Sequence, residues 1–186
     1  MTKDRPRFDV LAQMTALRRY ARSLTRDETD AEDLVHDALV RAYERRSSFR
    51  EGGSVRTWLF SILHNVFVDR RRARRAEMAR IEQVAELQER EAAPHQEQQL
   101  RLAQVRRAFM DLPEEQRAAL HLVAIEGLTF AEAAGALGIP IGTLMSRLAR
   151  ARAALRQIED GVPAGRPREK GQPHLRIVGG SDGPSA

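Results

Sequence analysis

Residues 129–156, TFAEAAGALGIPIGTLMSRLARARAALR, decide the fold. Thr129 and Glu132 stand three apart just before an apolar run, the spacing of a capping box, so a helix starts at Phe130. Ala133, Ala134 and Leu137 form its apolar face. Gly138-Ile139-Pro140 then stops it, because Gly tolerates a left-handed cap and Pro cannot continue the helix. A longer helix follows from Ile141 to about Gln157, with Leu144 and Leu148 facing back. Its other face carries Thr143, Ser146, Arg147 and Arg150. Two helices joined by so short a turn cross steeply over a small shared core, which is a helix-turn-helix. Hydroxyl and guanidinium groups on the second helix match base edges and phosphates in a major groove. The pattern also fits a helical hairpin with a solvated arginine face.

The helical reading extends upstream. Gly127 closes a helix that opens at Leu112-Pro113-Glu114-Glu115, with Pro in the first turn and carboxylates at the positive end of the dipole. Leu100 to Met110 has helical spacing as well. Met78 to Gln98, rich in Glu, Gln and Ala with Pro94 inside, reads as a helix fraying into a linker or as a linker outright.

Further upstream, Ala31, Leu34, Val35, Ala38, Leu39, Ala42 and Tyr43 follow the i, i+3, i+4, i+7 rule, with Asp30 or Thr29 as N-cap. Val55, Trp58, Leu59, Ile62, Leu63, Val66 and Phe67 form a second stripe, entered from Gly52-Gly53-Ser54. An earlier helix covers about Phe8 to Leu24. These three helices make a compact all-α unit. Residues 158–186 hold 6 of the 12 glycines and 4 of the 8 prolines and read as a tail, with Leu175–Val178 as a short apolar piece.

Composition narrows the function. The 186 residues contain no Cys, which excludes disulfides, thiolate metal sites and cysteine nucleophiles. No long apolar run or signal-peptide core is present, so a cytoplasmic protein without membrane insertion is expected. Of 31 basic residues only Lys3 and Lys170 are lysine. Arginine binds phosphate and guanine edges bidentately, although an Arg-rich chain also fits a GC-rich genome. Residues 1–77 and 99–157 are net basic, residues 78–98 net acidic, and the tail neutral. Two basic blocks around an acidic connector suggest two nucleic-acid-facing units.

Three features of the first unit carry chemistry. Asp27, Glu28, Asp30, Glu32, Asp33 and Asp37 form an acidic run, with Asp33 and Asp37 on one helix face. An acidic face cannot be for DNA and suits a basic protein partner. It offers no third ligand at metal spacing, so no metal is expected. The block Arg70-Arg71-Arg72-Ala73-Arg74-Arg75 attracts phosphates by counterion release. The loop Ser48-Phe49-Arg50-Glu51-Gly52-Gly53-Ser54 combines an aromatic, a cation and room for a backbone, which suits an unstacked single-stranded base. Trp58 reads as core first and stacking surface second. No P-loop, His–carboxylate metal spacing or Ser–His–Asp arrangement supports an enzyme, and no catalytic residue or cofactor is expected.

These residues resemble the extracytoplasmic-function (ECF) group of sigma-70-type bacterial sigma factors. The resemblance rests on Asp30-Ala31-Glu32-Asp33-Leu34-Val35-His36-Asp37, Thr57-Trp58-Leu59, and Asn65 and Asp69 before the Arg block. It continues in Leu112–Arg117, Glu132-Ala133-Ala134 and Gly142–Arg152. It implies an all-α protein with two small helical domains. Region 2, about 7–77, is a helical bundle; region 4, about 99–157, is the helix-turn-helix; a flexible linker, 78–98, joins them. The resemblance further implies core RNA polymerase and double- and single-stranded promoter DNA as partners, and an anti-sigma factor as regulator. Asp30, Glu32, Asp33, His36 and Asp37 would then dock on polymerase. Ser48, Phe49, Arg50 and Asn65 would capture a −10 base, beside phosphates held by Arg70, Arg71, Arg72, Arg74 and Arg75. Pro140, Thr143, Met145, Ser146, Arg147 and Arg150 would read the −35 element. His36, His64 and Met145 depart from the usual Gln, Arg and Lys or Arg. A stand-alone helix-turn-helix regulator and an adaptor protein are the competing readings; the first needs none of the three features of the first unit, and the second would keep the acidic helix but not need Arg147.

Overall fold

A computed structural model describes residues 9–50, 52–80 and 97–159. The expectations for Phe8, for most of the linker and for Leu175–Val178 lie outside the described residues. Among the described residues the structure is helical with no strand. The first unit comprises α1 (Met14–Thr25), α2 (Glu28–Glu44) and α3 (Val55–Arg80). The second comprises α4 (Glu97–Asp111), α5 (Glu114–Leu120), α6 (Phe130–Leu137) and α7 (Ile141–Glu159). Helix α3 runs three residues past the expected boundary at 77, and α7 continues into the expected tail.

Local chemistry sets the helix ends. Asp27 is the N-cap of α2, its carboxylate accepting the Asp30 N–H at 3.0 Å. The expected cap at Asp30 or Thr29 is therefore two or three residues late: Arg26 is left-handed (φ 63°), so the chain turns there and the next residue caps. Thr129 and Glu132 form the expected capping box. Gly138 takes the left-handed cap of α6, φ 63°, where a Cβ would be strained. Gly127 is not the direct end of α5. The chain first widens into a π-helical turn, His121–Ile125, which turns His121 and Glu126 inward.

Each helix contributes an apolar stripe. Leu17, Tyr20, Ala21 and Leu24 of α1 meet Ala31, Leu34, Val35 and Ala38 of α2 and Leu59, Leu63 and Val66 of α3. Burying each large side chain contributes about 1.5–3 kcal/mol. Tyr43, expected on the α2 stripe, is instead 68% exposed, with the Arg46 guanidinium 4.4 Å from its ring centre. Phe60, off the expected α3 stripe, is fully buried. The reason is that α3 is covered twice, by α1 and α2 on one flank and by α6 on another.

The two units are not independent bodies in this structure. Helix α6 packs along α3, and α5 packs on α1. The buried residues of both units form one continuous cluster, from Leu17 to Ala151.

Candidate nucleic-acid interface

The 48–54 loop is built around a turn in which the Gly53 N–H donates to the Arg50 carbonyl at 3.0 Å. Gly52 sits at φ 87°, where a side chain would be strained, and a Cβ on Gly53 would lie a tight 3.2 Å from the Arg50 oxygen. Phe49 meets Trp58 edge-on with ring centres 5.4 Å apart. The loop opens a cavity of about 420 Å3 lined by Ser48, Phe49, Arg50, Gly53, Ser54, Thr57, Trp58 and Ser61. Its remaining wall is Glu132, Gly135 and Ala136 of α6. Trp58 is thus half-buried, core on one side and cavity lining on the other. Asn65 is exposed one helical turn beyond Ser61 and is not among the residues lining the cavity.

The acidic run and the arginine block face each other. Arg70 is ion-paired with Asp37 and donates to the Asp33 carbonyl at 3.0 Å. Arg74 lies 3.3 Å from Asp30, and Arg18 donates to Glu32 at 2.9 Å. Arg71 reaches across to Glu114 of the second unit. The expected continuous acidic surface is therefore interleaved with arginines, while Asp33 and His36 remain exposed. Arg72 and Arg75 are exposed on α3.

On α7, Leu144, Leu148 and Ala151 are buried against α5 and α6, and this leaves Pro140, Met145, Ser146 and Arg150 exposed. Thr143 is half-buried. The Ser146 hydroxyl donates to the Thr143 carbonyl at 3.0 Å, and Arg150 reaches Ser146 at 3.4 Å. Arg147 does not project freely as expected. Its side chain is 16% exposed and pairs with Glu115 at 2.9 Å.

The most concentrated polar chemistry lies between the units, at residues sequence reading did not single out. The Glu126 side chain is fully buried. It accepts from Arg19 at 2.7 and 2.9 Å, from Arg56 at 2.5 Å, and from His121 Nε2 at 3.1 Å. Burial alone would raise its pKa, but the hydrogen bonds from His121, Arg19 and Arg56 win and hold it at about 2. The ionised carboxylate only accepts, so the His121 proton sits on Nε2. Burial lowers the His121 pKa against the pull of Glu126.

Beside this hub, Tyr20 packs on His121 with ring centres 5.2 Å apart and bonds His64 Nδ1 at 3.1 Å. Arg117, 2% exposed, inserts from α5 at the C-terminus of α1. It donates to the carbonyls of Ser23 and Leu24 there, and to Met110 and Leu112 of its own unit. Burial, then the charge of Arg26, brings its pKa down to about 10, so it stays a cation facing the negative helix end.

Comparison with known proteins gives these units a family. Residues 11–77 match Sigma-70 region 2, and residues 102–155 match Sigma-70 region 4. The chain is 37% identical over 152 residues to the ECF RNA polymerase sigma factor EcfG of Rhodopseudomonas palustris, covering 82% of this chain and 83% of that protein. It is 40% identical over 159 residues to SigM of Mycobacterium tuberculosis, covering 83% and 78%. Among solved structures, it is similar to the sigma factor RpoE in complex with the anti-sigma factor NepR from Bartonella quintana. The TM-score is 0.70 at 34% identity, over 81% of this chain and 94% of that one. CnrH in complex with the cytosolic domain of CnrY matches at TM-score 0.58 and 32% identity, over 82% and 85%. With both regions present in order and relatives alike along most of their length, the chain belongs to the ECF sigma factors of the sigma-70 family.

Proposed function

We propose that this sigma factor divides promoter reading between its two units, with region 2 melting and reading the −10 element and region 4 reading the −35 element. Sigma factors bind core RNA polymerase and direct it to promoters; the family is a non-catalytic transcription initiation factor. Residues 7–77 are the first reading unit and 99–157 the second. The exposed Asp33, His36 and Asp37, with Asp30 and Glu32, form the polymerase-facing side of α2. Ser48, Phe49 and Arg50 hold an unstacked −10 base with Trp58 beneath it, Asn65 contacts the adjacent strand, and Arg70–Arg75 neutralise phosphates. Pro140, Thr143, Met145, Ser146, Arg147 and Arg150 face the −35 groove.

The observation that carries this reading is the pairing of two distinct surfaces in one chain. One is a cavity edged by Phe49, Arg50 and Trp58; the other is a helix-turn-helix presenting Ser146 and Arg150. The first fits a single base and the second a duplex groove. The mechanism is binding energy: melting costs a few kcal/mol per unstacked step, and base capture offsets part of it. Polymerase partnership puts the protein in the cytoplasm, and no helix among the described residues is long and apolar enough to cross a membrane. The similar RpoE and CnrH were solved with NepR and CnrY, and an anti-sigma factor of that kind controls this chain.

The test is transcription in vitro with purified bacterial core polymerase on fragmented genomic DNA, mapping RNA 5′ ends. Discrete new starts with shared upstream motifs support the reading. No new starts, together with tight sequence-specific binding by the protein alone, point to a stand-alone regulator.

A further inference from the structure

We propose that a second cavity, between α1 and α4, is a binding site for a nucleoside di- or triphosphate, with His121 at its base end and arginines at its phosphate end. Its volume is about 540 Å3, within the range of sites that hold small molecules. Helical spacing builds it. Thr15, Arg18, Arg19 and Arg22 stand at i, i+3, i+4 and i+7 on one face of α1, and Arg106, Phe109 and Met110 follow the same spacing on α4. His121 and Ile125 of the π-helical turn line another side.

The charge of the lining is one-sided. Four arginines face this cavity and, among the described residues, no carboxylate does. Arg19 is committed to the buried Glu126. Arg18 and Arg22 pair with Glu32 and Glu28, neither of which lines the cavity. Pairs as exposed as these are weak, and a phosphate competes well for a guanidinium fork. Arg106 is exposed and has no ion pair among the described residues. Arg18, Arg22 and Arg106 are therefore open to an anion. Three cations call for more negative charge than one carboxylate carries, and a di- or triphosphate supplies it.

The other end asks for a flat ring with a proton to donate. Phe109, Met110 and Ile125 offer an apolar surface, and the Phe109 ring centre lies 6.1 Å from that of His121. The His121 side chain is 2% exposed, and its Nδ1 is buried without a hydrogen-bond partner. Because the ionised Glu126 holds the ring proton on Nε2, Nδ1 is an acceptor. A buried acceptor left unpaired costs free energy, so a ligand N–H that reaches it gains affinity. Every nucleobase carries an N–H group at the edge of an aromatic face, and stacking on Phe109 tolerates any of them. Inorganic phosphate would fill the arginine end alone and leave Nδ1 unpaired.

The full chain is titrated against ADP and GDP carrying a fluorescent ribose label. Anisotropy should show saturable binding with a Kd below about 1 mM. Arg106→Glu should weaken it at least about tenfold, and so should Ile125→Glu, which sets a carboxylate among the arginines at a position 45% exposed. Arg107→Glu makes the same change of net charge at an exposed neighbour outside the cavity, and should shift affinity less than about twofold. Circular dichroism establishes that the variants keep their helix content. In protein labelled with 15N-histidine, the His121 Nδ1 resonance should move upfield as nucleotide is added, the mark of an acceptor gaining a donor. Absence of saturable binding overturns the proposal, as does an equal loss in Arg106→Glu and Arg107→Glu, which would show general charge attraction. Displacement by pyrophosphate as effective as by unlabelled ADP overturns it in favour of a bare anion site. Displacement by a single-stranded oligonucleotide but by no mononucleotide overturns it in favour of a strand, and an unmoved His121 resonance at saturation removes its base end.

Discussion

Arg147 of α7 lies 2.9 Å from Glu115 of α5, so the residue proposed to read a −35 base is held by a carboxylate of its own unit. Glu115 is 64% exposed, and a pair with one partner this exposed adds little to stability. The contact instead sets where the guanidinium points. Glu115→Gln should leave the melting temperature nearly unchanged and alter discrimination among −35 sequences. Arg147→Ala should cost about 1–3 kcal/mol of promoter affinity, concentrated at one base pair. Promoter competition assays with single-base variants check both.

The arginine block should split into two classes. Arg70 and Arg74 are paired with Asp37 and Asp30, whereas Arg72 and Arg75 lie exposed on α3. Replacing Arg72 or Arg75 by Ala should weaken binding to all promoter sequences alike. Each lost phosphate contact should reduce the log–log salt slope by about 0.7–0.9. Replacing Arg70 also leaves Asp37 without its partner, so it should change polymerase binding as well. Salt titrations of promoter complexes, compared with core polymerase affinity, separate the two.

What was legible in the sequence was local. Thr129 and Glu132 make their capping box from residues three apart, and Gly138 with Pro140 sets the turn, so the helix-turn-helix could be read from one short stretch. The stripes of α1, α2 and α3 follow helical spacing for the same reason. Glu126, Arg19, Arg56 and Arg117 were not legible. Glu126 stands 107 residues from Arg19 and 70 from Arg56, and in isolation it looks like a solvated helix end before Gly127. Only packing of one unit on the other removes its water. Tyr43 erred in the opposite direction: its spacing is that of the α2 stripe, but among the described residues no helix covers that end. Of the proposed base-capturing residues, Ser48, Phe49 and Arg50 converge on one cavity because they are neighbours in sequence. Asn65 lies on a helix whose phase the loop does not determine.

Acid should destabilise this fold in two stages. Burial, aided by the charge of Arg147, lowers the His64 pKa to about 4. The unfolded chain, with an ordinary histidine near pH 6.5, then binds the proton first as pH falls. Stability is therefore full above about pH 6.5 and declines toward pH 4, by up to on the order of 3 kcal/mol from this group. Glu126 has the depressed carboxylate pKa of about 2, so its share is present above about pH 4.5 and is lost between there and pH 2. His64→Gln should reduce the upper stage to the share of His121, whose pKa burial also lowers, and leave the lower one unchanged. Chemical denaturation at fixed pH values from 7 to 3 resolves the two, and an unchanged upper slope in His64→Gln would exclude His64 as its source.

Arg117 should be the costliest single truncation outside the apolar core. It is a buried cation with four carbonyl acceptors, two of them the Ser23 and Leu24 carbonyls at the end of α1. Removing it strands those acceptors in a region without water and takes a positive charge from the negative end of the helix dipole. Arg117→Ala should therefore cost about 3–5 kcal/mol, the range for breaking a buried charge interaction, or roughly 10 °C in a chain of this size. Arg117→Lys should recover little, because a single ammonium offers three donors from one point and cannot span carbonyls on two helices. The contrast with Arg19→Gln is the informative one. Arg19 has a half-exposed side chain and acts only between the units, so its loss should leave thermal stability far less changed than loss of Arg117. Parallel thermal melts of the three variants check this order; an Arg117→Lys melt equal to wild type would show that the charge alone, without the planar fork, holds α5 to α1.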